Sequence, residues 1–363
     1  MARDSLLCFV GVGDVNLQNR TDPGAAFHRV AAELAAADVL YGNLEGPLAG
    51  ADDPAPIPHK RGWVHSDPAM VAGLQAAGFA FVSCASNVTY PPSAALRSLR
   101  VLDAHAIPHA GAGTTLAEAR RPAIVERRGL RFGLLSYTSV FWPHGHAAGP
   151  DSPGVATVRI DTAYEPGPRV LEMPGAAPTV RTTPDPEELA ACLRDIADLR
   201  PHVDLLTVAM HWGISGSTEL AEYQRSVGRA AVDAGADLVL GAHPHMPQGI
   251  EVRARPGRPA PGIICYSLGN FAFDWPAMRG RADGLLLRCL LDPERRVPVH
   301  VSCVPVGRND SGQPELLSPH TAPGQDLARS VTALSQPLGT ALRLDDAAGD
   351  LVIWSALESH PPA

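Results

Sequence analysis

The 363-residue chain carries 30 Lys and Arg against 38 Asp and Glu, a formal net charge of -8. A mildly acidic chain with no basic run argues against electrostatic binding to nucleic acid or anionic lipid. Its length suits one large domain or two ordinary ones, enough to bury a core without disulfide staples.

No stretch reaches the roughly 18 apolar residues that a membrane helix needs. The apolar run Leu6–Val12 is too short for a signal peptide and lacks a small-residue cleavage site. The expectation is a soluble cytoplasmic protein without a membrane anchor. Cys8, Cys84, Cys192, Cys265, Cys289 and Cys303 are scattered and form no CxxC pair. They read as reduced core thiols.

In chain order, Leu6–Gly13 reads as a strand, Ala25–Ala36 as a helix and Val39–Gly42 as a second strand. Asp67–Ala77 is a predicted helix, opened by Ser66-Asp67-Pro68 with a capping residue and a proline in its first turn. Phe79–Ala85 is a strand, Ser93–Ala104 a helix, and Ile124–Glu126 with Leu130–Ser136 a hairpin. Strands alternating with helices indicate an α/β domain. From Phe141 to Pro186 the periodicity is lost among Pro and Gly residues, which marks a long insertion. Order returns with a helix at Pro186–Leu199, a strand at Val203–Met210, a helix at Glu219–Ala234 and a strand at Ala236–Gly241. Strands at Gly249–Arg253, Gly262–Ser267, Leu285–Leu291 and Val299–Val306 follow. Beyond Arg308 the chain is loop-rich, with one helix near Asp326–Ser335.

Five of these strands stop on residues able to bind metal. The ends read Gly13-Asp14, Asn43-Leu44-Glu45, Ser86-Asn87, His211-Trp212-Gly213 and His243-Pro244-His245. In an open α/β sheet, ligands bind beyond the carboxyl ends of the strands. That rule brings Asp14, Glu45, Asn87, His211, His243 and His245 together. Carboxylate, amide and imidazole form a mixed oxygen and nitrogen set suited to Mn, Fe, Zn or Co. With one carboxylate bridging, six ligands suffice for two ions about 3.5–4 Å apart. No Gly-rich loop ends in Gly-Lys-Ser/Thr, which disfavours a P-loop ATPase.

Taken together the segments resemble the CapA (PgsA) family of bacterial capsule and poly-γ-glutamate synthesis, a relative of the calcineurin-like metallophosphatases. The likeness is carried by Gly11–Asp14, Asn43-Leu44-Glu45, Ser66-Asp67-Pro68, Ala110-Gly111-Ala112-Gly113, His211-Trp212-Gly213, Tyr223-Gln224-Arg225 and Asp233–Asp237. It continues through His243-Pro244-His245, Gln248–Glu251 and Tyr266–Asp274, and spans roughly residues 6–306. The resemblance implies a metallophosphatase-like four-layer α/β/β/α sandwich with mixed sheets. It assigns residues 1–310 to that domain, with an insertion at about 141–186, and residues 311–363 to a C-terminal extension packed on it. It implies a two-metal or degenerate site for divalent transition-metal ions, with Asp14, Glu45, Asn87, His211, His243 and His245 as its ligands and Glu45 as the candidate bridging carboxylate.

Two departures bear on the chemistry. The family commonly has Asn-Asn-His and then Asp two residues later, where this chain reads Ser86-Asn87-Val88-Thr89-Tyr90-Pro91. In metallophosphatases that histidine protonates the leaving group or steadies the developing oxyanion. Valine does neither. The Glu-Tyr that follows His-Trp-Gly in the family is Ser215-Gly216 here. His59, His65, His144 and His146 are alternative proton donors, so His59 joins His211 and Asn87 as a catalytic candidate. Lys60 and Arg61 in a Pro-rich loop are candidate clamps for an anion, Trp212 is a candidate substrate contact, and Asn270 is a candidate substrate contact or a support behind a ligand. The expected function is a metal-dependent hydrolase acting on a phosphoester or a γ-glutamyl or amide-type small molecule. The alternatives are a non-hydrolytic biosynthetic reaction such as amide-bond formation, and a binding protein with a degenerate site.

Overall fold

The computed structural model describes residues 5–50, 57, 60, 62–273, 275 and 281–357. The chain begins β1 (Leu7–Asn16), α1 (Ala31–Ala35), β2 (Val39–Leu44), α2 (Val71–Ala77), β3 (Phe79–Ser83) and α3 (Pro92–Ala104). Short strands β4 (His109–Ala110) and β5 (Ala112–Gly113) and helix α4 (Leu116–Ala119) lead into a hairpin, β6 (Ala123–Arg127) with β7 (Leu130–Thr138). The insertion contributes β8 (Gly154–Val155), β9 (Ile160–Glu165) and β10 (Thr179–Pro184). Next come α5 (Pro186–Leu199), β11 (Leu205–His211), α6 (Glu222–Ala234), β12 (Leu238–Ala242), β13 (Ile250–Arg253) and β14 (Gly262–Cys265). The chain then runs through β15 (Asn270–Phe273), β16 (Ala282–Asp292), β17 (Val297–Arg308), β18 (Pro314–Leu316), α7 (Ala322–Ser335), β19 (Arg343–Asp345) and β20 (Asp350–Ser355).

Two mixed sheets carry the architecture. In the larger, β1, β2, β3 and β4 run parallel in that order, while β16, β17, β20 and β19 continue antiparallel from the other side of β1. In the smaller, β7, β11, β12 and β14 are parallel, flanked by antiparallel β6 and β13.

Strand alternation then dictates the layers. Leu7 and Phe9 of β1 and Tyr41 of β2 face Leu134, Leu205 and Leu240 of the smaller sheet, and these residues form one core between the sheets. Val10, Val12 and Leu40 point the other way, onto Leu34, Leu74 and Leu99 of α1, α2 and α3. On the far side, Leu135, Leu206 and Val208 pack on Ile196 of α5 and Val227 of α6. The result is the α/β/β/α sandwich that the resemblance implies. Among the described residues, no helix is long and apolar enough to cross a membrane. The cysteines are free thiols, all but Cys8 buried, and burial pushes Cys84, Cys192 and Cys265 up to about 12.

The structure corrects the sequence reading in three segments. The expected helix at Ala25–Ala36 is two 3-10 turns followed by the five residues of α1. Phe27, Val30 and Leu34 keep the apolar spacing, but neither Phe27 nor Val30 supplies a capping side chain, and a short uncapped helix is marginal. The insertion is more ordered than its composition suggests. Strands β9 and β10 pair as an antiparallel ribbon over Ile160–Glu165 and Thr179–Pro184. Both faces of that ribbon are largely solvated, so no apolar alternation marks it. Helix α7 begins at Ala322, with a proline in its first turn, earlier than Asp326.

Candidate metal centre

The parallel strands of both sheets end at one edge, and the chemistry-bearing residues lie there. Asp14 and Glu45 are completely buried, and His211 and His243 nearly so. One ligand atom each from Asp14, Glu45 and His211 lie within 4.8 Å of one another. A second set, from Glu45, His243 and His245, meets the same limit. Glu45 belongs to both. The imidazoles of His211 and His243 are 4.9 Å apart between centroids. Asn87 reaches the cluster through its side-chain oxygen, 3.1 Å from His211 Nε2.

The backbone at this edge is built for close approach. A Cβ on Gly13 would fall 2.0 Å from the carbonyl oxygen of Gly269, and that crossing lets the Asp14 amide donate to the same oxygen at 2.9 Å. His243 and His245 sit at φ of 93° and 58° around Pro244. A non-glycine residue there stores strain that surrounding contacts must sustain. Gly13→Ala is therefore expected to lower stability by about 1–3 kcal/mol through overpacking against backbone. Chemical denaturation measures this, and a wild-type midpoint would refute it.

A polar scaffold holds the side chains. Asn43 donates to Asp14 Oδ1 at 2.8 Å and accepts from Ser83 Oγ at 2.8 Å, and Ser83 in turn meets the Tyr41 hydroxyl at 2.9 Å. Asn16 donates to the Glu45 carbonyl at 2.8 Å. His245 Nδ1 lies 3.1 Å from Asn270 Oδ1 and 3.4 Å from Asp14 Oδ2, so its Nε2 faces Glu45 Oε1 at 3.7 Å. Asn270 also donates to Asp283 at 3.3 Å, and Asp283 is paired with the fully buried Arg308 at 2.5 and 2.9 Å. Such partners behind a ligand fix its orientation and basicity.

The electrostatics show a cluster short of positive charge. Burial and the neighbouring Asp14 push the Glu45 carboxyl well above the usual range. Burial opposes the protonation of His245, but Glu45 and Asp14 outweigh it and raise the imidazolium to about 9. Burial and His245 drive His243 down to about 3, and burial with His243 drives His211 well below its ordinary value. Several buried polar atoms have no hydrogen-bond partner among the described residues: both Glu45 oxygens, Asp14 Oδ2, and the Nδ1 atoms of His211 and His243. Buried polar atoms are normally paired. A set of orphaned carboxylate and imidazole atoms, collected within ligand distance, fits a divalent transition metal.

The other sequence candidates are placed differently. Trp212 is fully buried, donates its indole N–H to the Tyr266 carbonyl at 2.7 Å and stacks on Tyr266. The chain alternates after His211, which turns this ring into the α6 layer and away from any substrate. Asn270 is also fully buried, and its amide is spent on His245 and Asp283. It holds the His245 side chain and backbone in place. The Lys60 ammonium lies 4.0 Å above the Trp63 ring, and its charge acts on Glu45, His211 and His243. Burial lowers its own pKa, against the pull of Glu45. His59 and Arg61 lie outside the described residues. His144 is exposed, whereas His146 is buried and accepts from the Trp142 amide at 3.0 Å.

Sequence reasoning gave no role to Asn16, Asn43, Asp283 or Arg308. Asn43 sits inside the Asn-Leu-Glu motif, and its strand register against Asp14 was its only signal. Asp283 and Arg308 are isolated charges at the ends of long apolar strands, and such charges are kept in a core only when paired.

A family model described as bacterial capsule synthesis protein PGA_cap matches residues 8–275. The uncharacterized protein y4sH of Sinorhizobium fredii (strain NBRC 101917 / NGR234) is 31% identical over 310 residues, 73% of this chain and 66% of that protein. The capsule biosynthesis protein CapA of Bacillus anthracis is 24% identical over 298 residues, 77% of this chain and 63% of CapA. The chain thus spans about two thirds or less of these relatives' length. Among solved structures, a novel phosphatase from Mycoplasma pneumoniae is similar with a TM-score of 0.49 and 12% identity, over 84% of this chain and 95% of that one. A likeness that distant has no bearing on activity.

Proposed function

The chain belongs to the bacterial capsule synthesis PGA_cap family, and from that premise we propose that it is a metal-dependent hydrolase of a small anionic substrate. The substrate class is a phosphoester or a γ-glutamyl or amide-type molecule. One observation carries the reading: five orphaned ligand atoms, from Asp14, Glu45, His211 and His243, are buried at the junction of two sheets.

Asp14, Glu45, His211, His243 and His245, with Asn87, would hold two ions, and Glu45 would be shared between them. Bound divalent ions supply Lewis acidity, polarising the substrate and making water a better nucleophile. The chain's own residues do the rest. Asn43, Asn16 and Asn270 fix Asp14, Glu45 and His245 in place. Lys60, half-buried at the rim, adds a positive charge that draws an anion and opposes the crowding of carboxylates. Val88 offers no proton to a leaving group, so substrates whose leaving group departs unaided are favoured.

The absence of a histidine at position 88 also favours a second reading, a non-hydrolytic biosynthetic step at the same centre. The two are separated by stripping the full chain with chelator and titrating Mn(II) by calorimetry. Hydrolysis is then assayed with a phenyl phosphate and a γ-glutamyl anilide. The hydrolase reading expects saturable Mn(II) binding and metal-dependent turnover of one of them. Metal binding without turnover of either moves the assignment to the non-hydrolytic step, and no binding refutes both.

A further inference from the structure

Position 88 is surrounded by a small apolar cluster separate from the three main cores. Val88 is completely buried against Ile57, Trp63 and Phe273, and Tyr90, Trp142 and Trp275 pack on them while keeping part of their surface open. Aromatic residues make up only 5% of the chain, yet three of its five tryptophans are here. Trp63 and Trp275 stack at 5.6 Å, and Tyr90 lies 6.2 Å from Trp142.

The cluster touches the candidate metal centre at two points. The Phe273 ring stands edge-on to His245 at 4.9 Å. The Trp142 indole donates to the Asn87 carbonyl at 2.9 Å. Lys60 closes the corner, with its ammonium over Trp63. An aromatic wall, buried at Phe273 and Trp63 and half-open at Tyr90, Trp142 and Trp275, therefore borders a cluster of metal-binding atoms, with a cation where the two meet.

We propose that this wall is the leaving-group subsite, and that the substrate is an aryl phosphoester. The inference deepens the hydrolase reading above and rests on it. Two independent features agree. Flat rings that remain partly exposed beside a polar centre favour a flat apolar group, by stacking and edge contacts. The chemistry asks for the same group, because Val88 cannot act as an acid. A phenol has a pKa of about 10, well below that of an aliphatic alcohol, so an aryloxide leaves unprotonated far more readily than an alkoxide. Water's oxygen bonds to phosphorus as the P–O(aryl) bond breaks. The aryloxide departs with the electron pair and takes its proton from solvent, so an aryl phosphate and water give a phenol and inorganic phosphate. Val88 thus offers apolar contact where the resemblance implies a general-acid histidine.

The test compares equilibrium binding of phenylphosphonate and methylphosphonate to the Mn(II)-loaded full chain. Phenylphosphonate should bind about tenfold tighter or better and should shift the tryptophan emission, whereas methylphosphonate should leave it unchanged. Trp275→Ala, and separately Val88→Ser, should shrink the ratio of the two affinities with Mn(II) stoichiometry retained. Equal affinities on a protein that binds Mn(II) would overturn the aromatic subsite while the metal centre stands. A ratio that both variants leave intact would overturn it too. Failure to bind Mn(II) at all would instead remove the hydrolase reading on which it rests.

Discussion

Glu45→Gln is expected to abolish paired metal binding and, at the same time, to raise the stability of the metal-free chain. Both effects follow from one geometry. The Glu45 side chain is completely buried, neither oxygen has a hydrogen-bond partner among the described residues, and Asp14 stands close enough to push its carboxyl further up. Two buried carboxylates side by side cost free energy that the single His245 imidazolium, 3.7 Å from Glu45, recovers only in part. Glutamine keeps the shape and removes the charge. The metal-free variant is relieved of repulsion with Asp14, while both ligand groupings lose their shared member.

For the wild-type chain, an ion at a hundredfold excess over its dissociation constant adds about 2.7 kcal/mol to stability. Denaturant melts with and without Mn(II) should show that gain in the wild type and little of it in the variant. Without metal, the variant's midpoint should be higher. This is the trade between stability and function expected where a site is strained for binding. A variant that keeps the wild-type response to Mn(II) would show that Glu45 is not the shared ligand.

Asp14, Glu45, Asn87, His211, His243 and His245 were legible in sequence for a simple reason. Each ends or follows a strand, and parallel strands in one sheet deliver their carboxyl ends to one edge. The rule needs no knowledge of which strands are neighbours. It does not say which way a side chain turns, and that is why Trp212 proves to be a core residue although it adjoins His211. One residue further along a strand means the opposite face. Of the two roles open to Asn270, support behind a ligand is the one its contacts match: β15 pairs with β1 so that Asn270 stands opposite Asp14, and its side-chain oxygen meets His245 Nδ1. The helix at Ala25–Ala36 and the ribbon of β9 and β10 were misread locally, because the former lacks caps and the latter lacks a buried face.

The least legible part of the centre is its support from β16 and β17, and here a second large effect is expected. Arg308 is completely buried with its guanidinium on Asp283 at 2.5 and 2.9 Å. Asp283 accepts from Asn270, and Asn270 faces His245 Nδ1. These contacts join strands about 25 residues apart through antiparallel pairing, a register no local pattern reveals. Among the described residues, Arg308→Met would leave the buried Asp283 with the more exposed Arg281 at 3.9 Å as its cation. Removing one partner of a buried pair costs about 3–5 kcal/mol, and denaturation should show a loss of that size. Adding Asp283→Leu removes the stranded charge, and stability should then largely recover, because an apolar pair of similar volume is often neutral. Metal affinity should not recover with it. Asn270 would have lost one of its two amide contacts, keeping the His245 carbonyl at 3.1 Å, and loss of support behind a ligand typically weakens metal binding about 10–100-fold. A double variant that is stable yet binds Mn(II) weakly would establish that the pair positions His245. A double variant with native affinity would show that Arg308 and Asp283 serve only the fold.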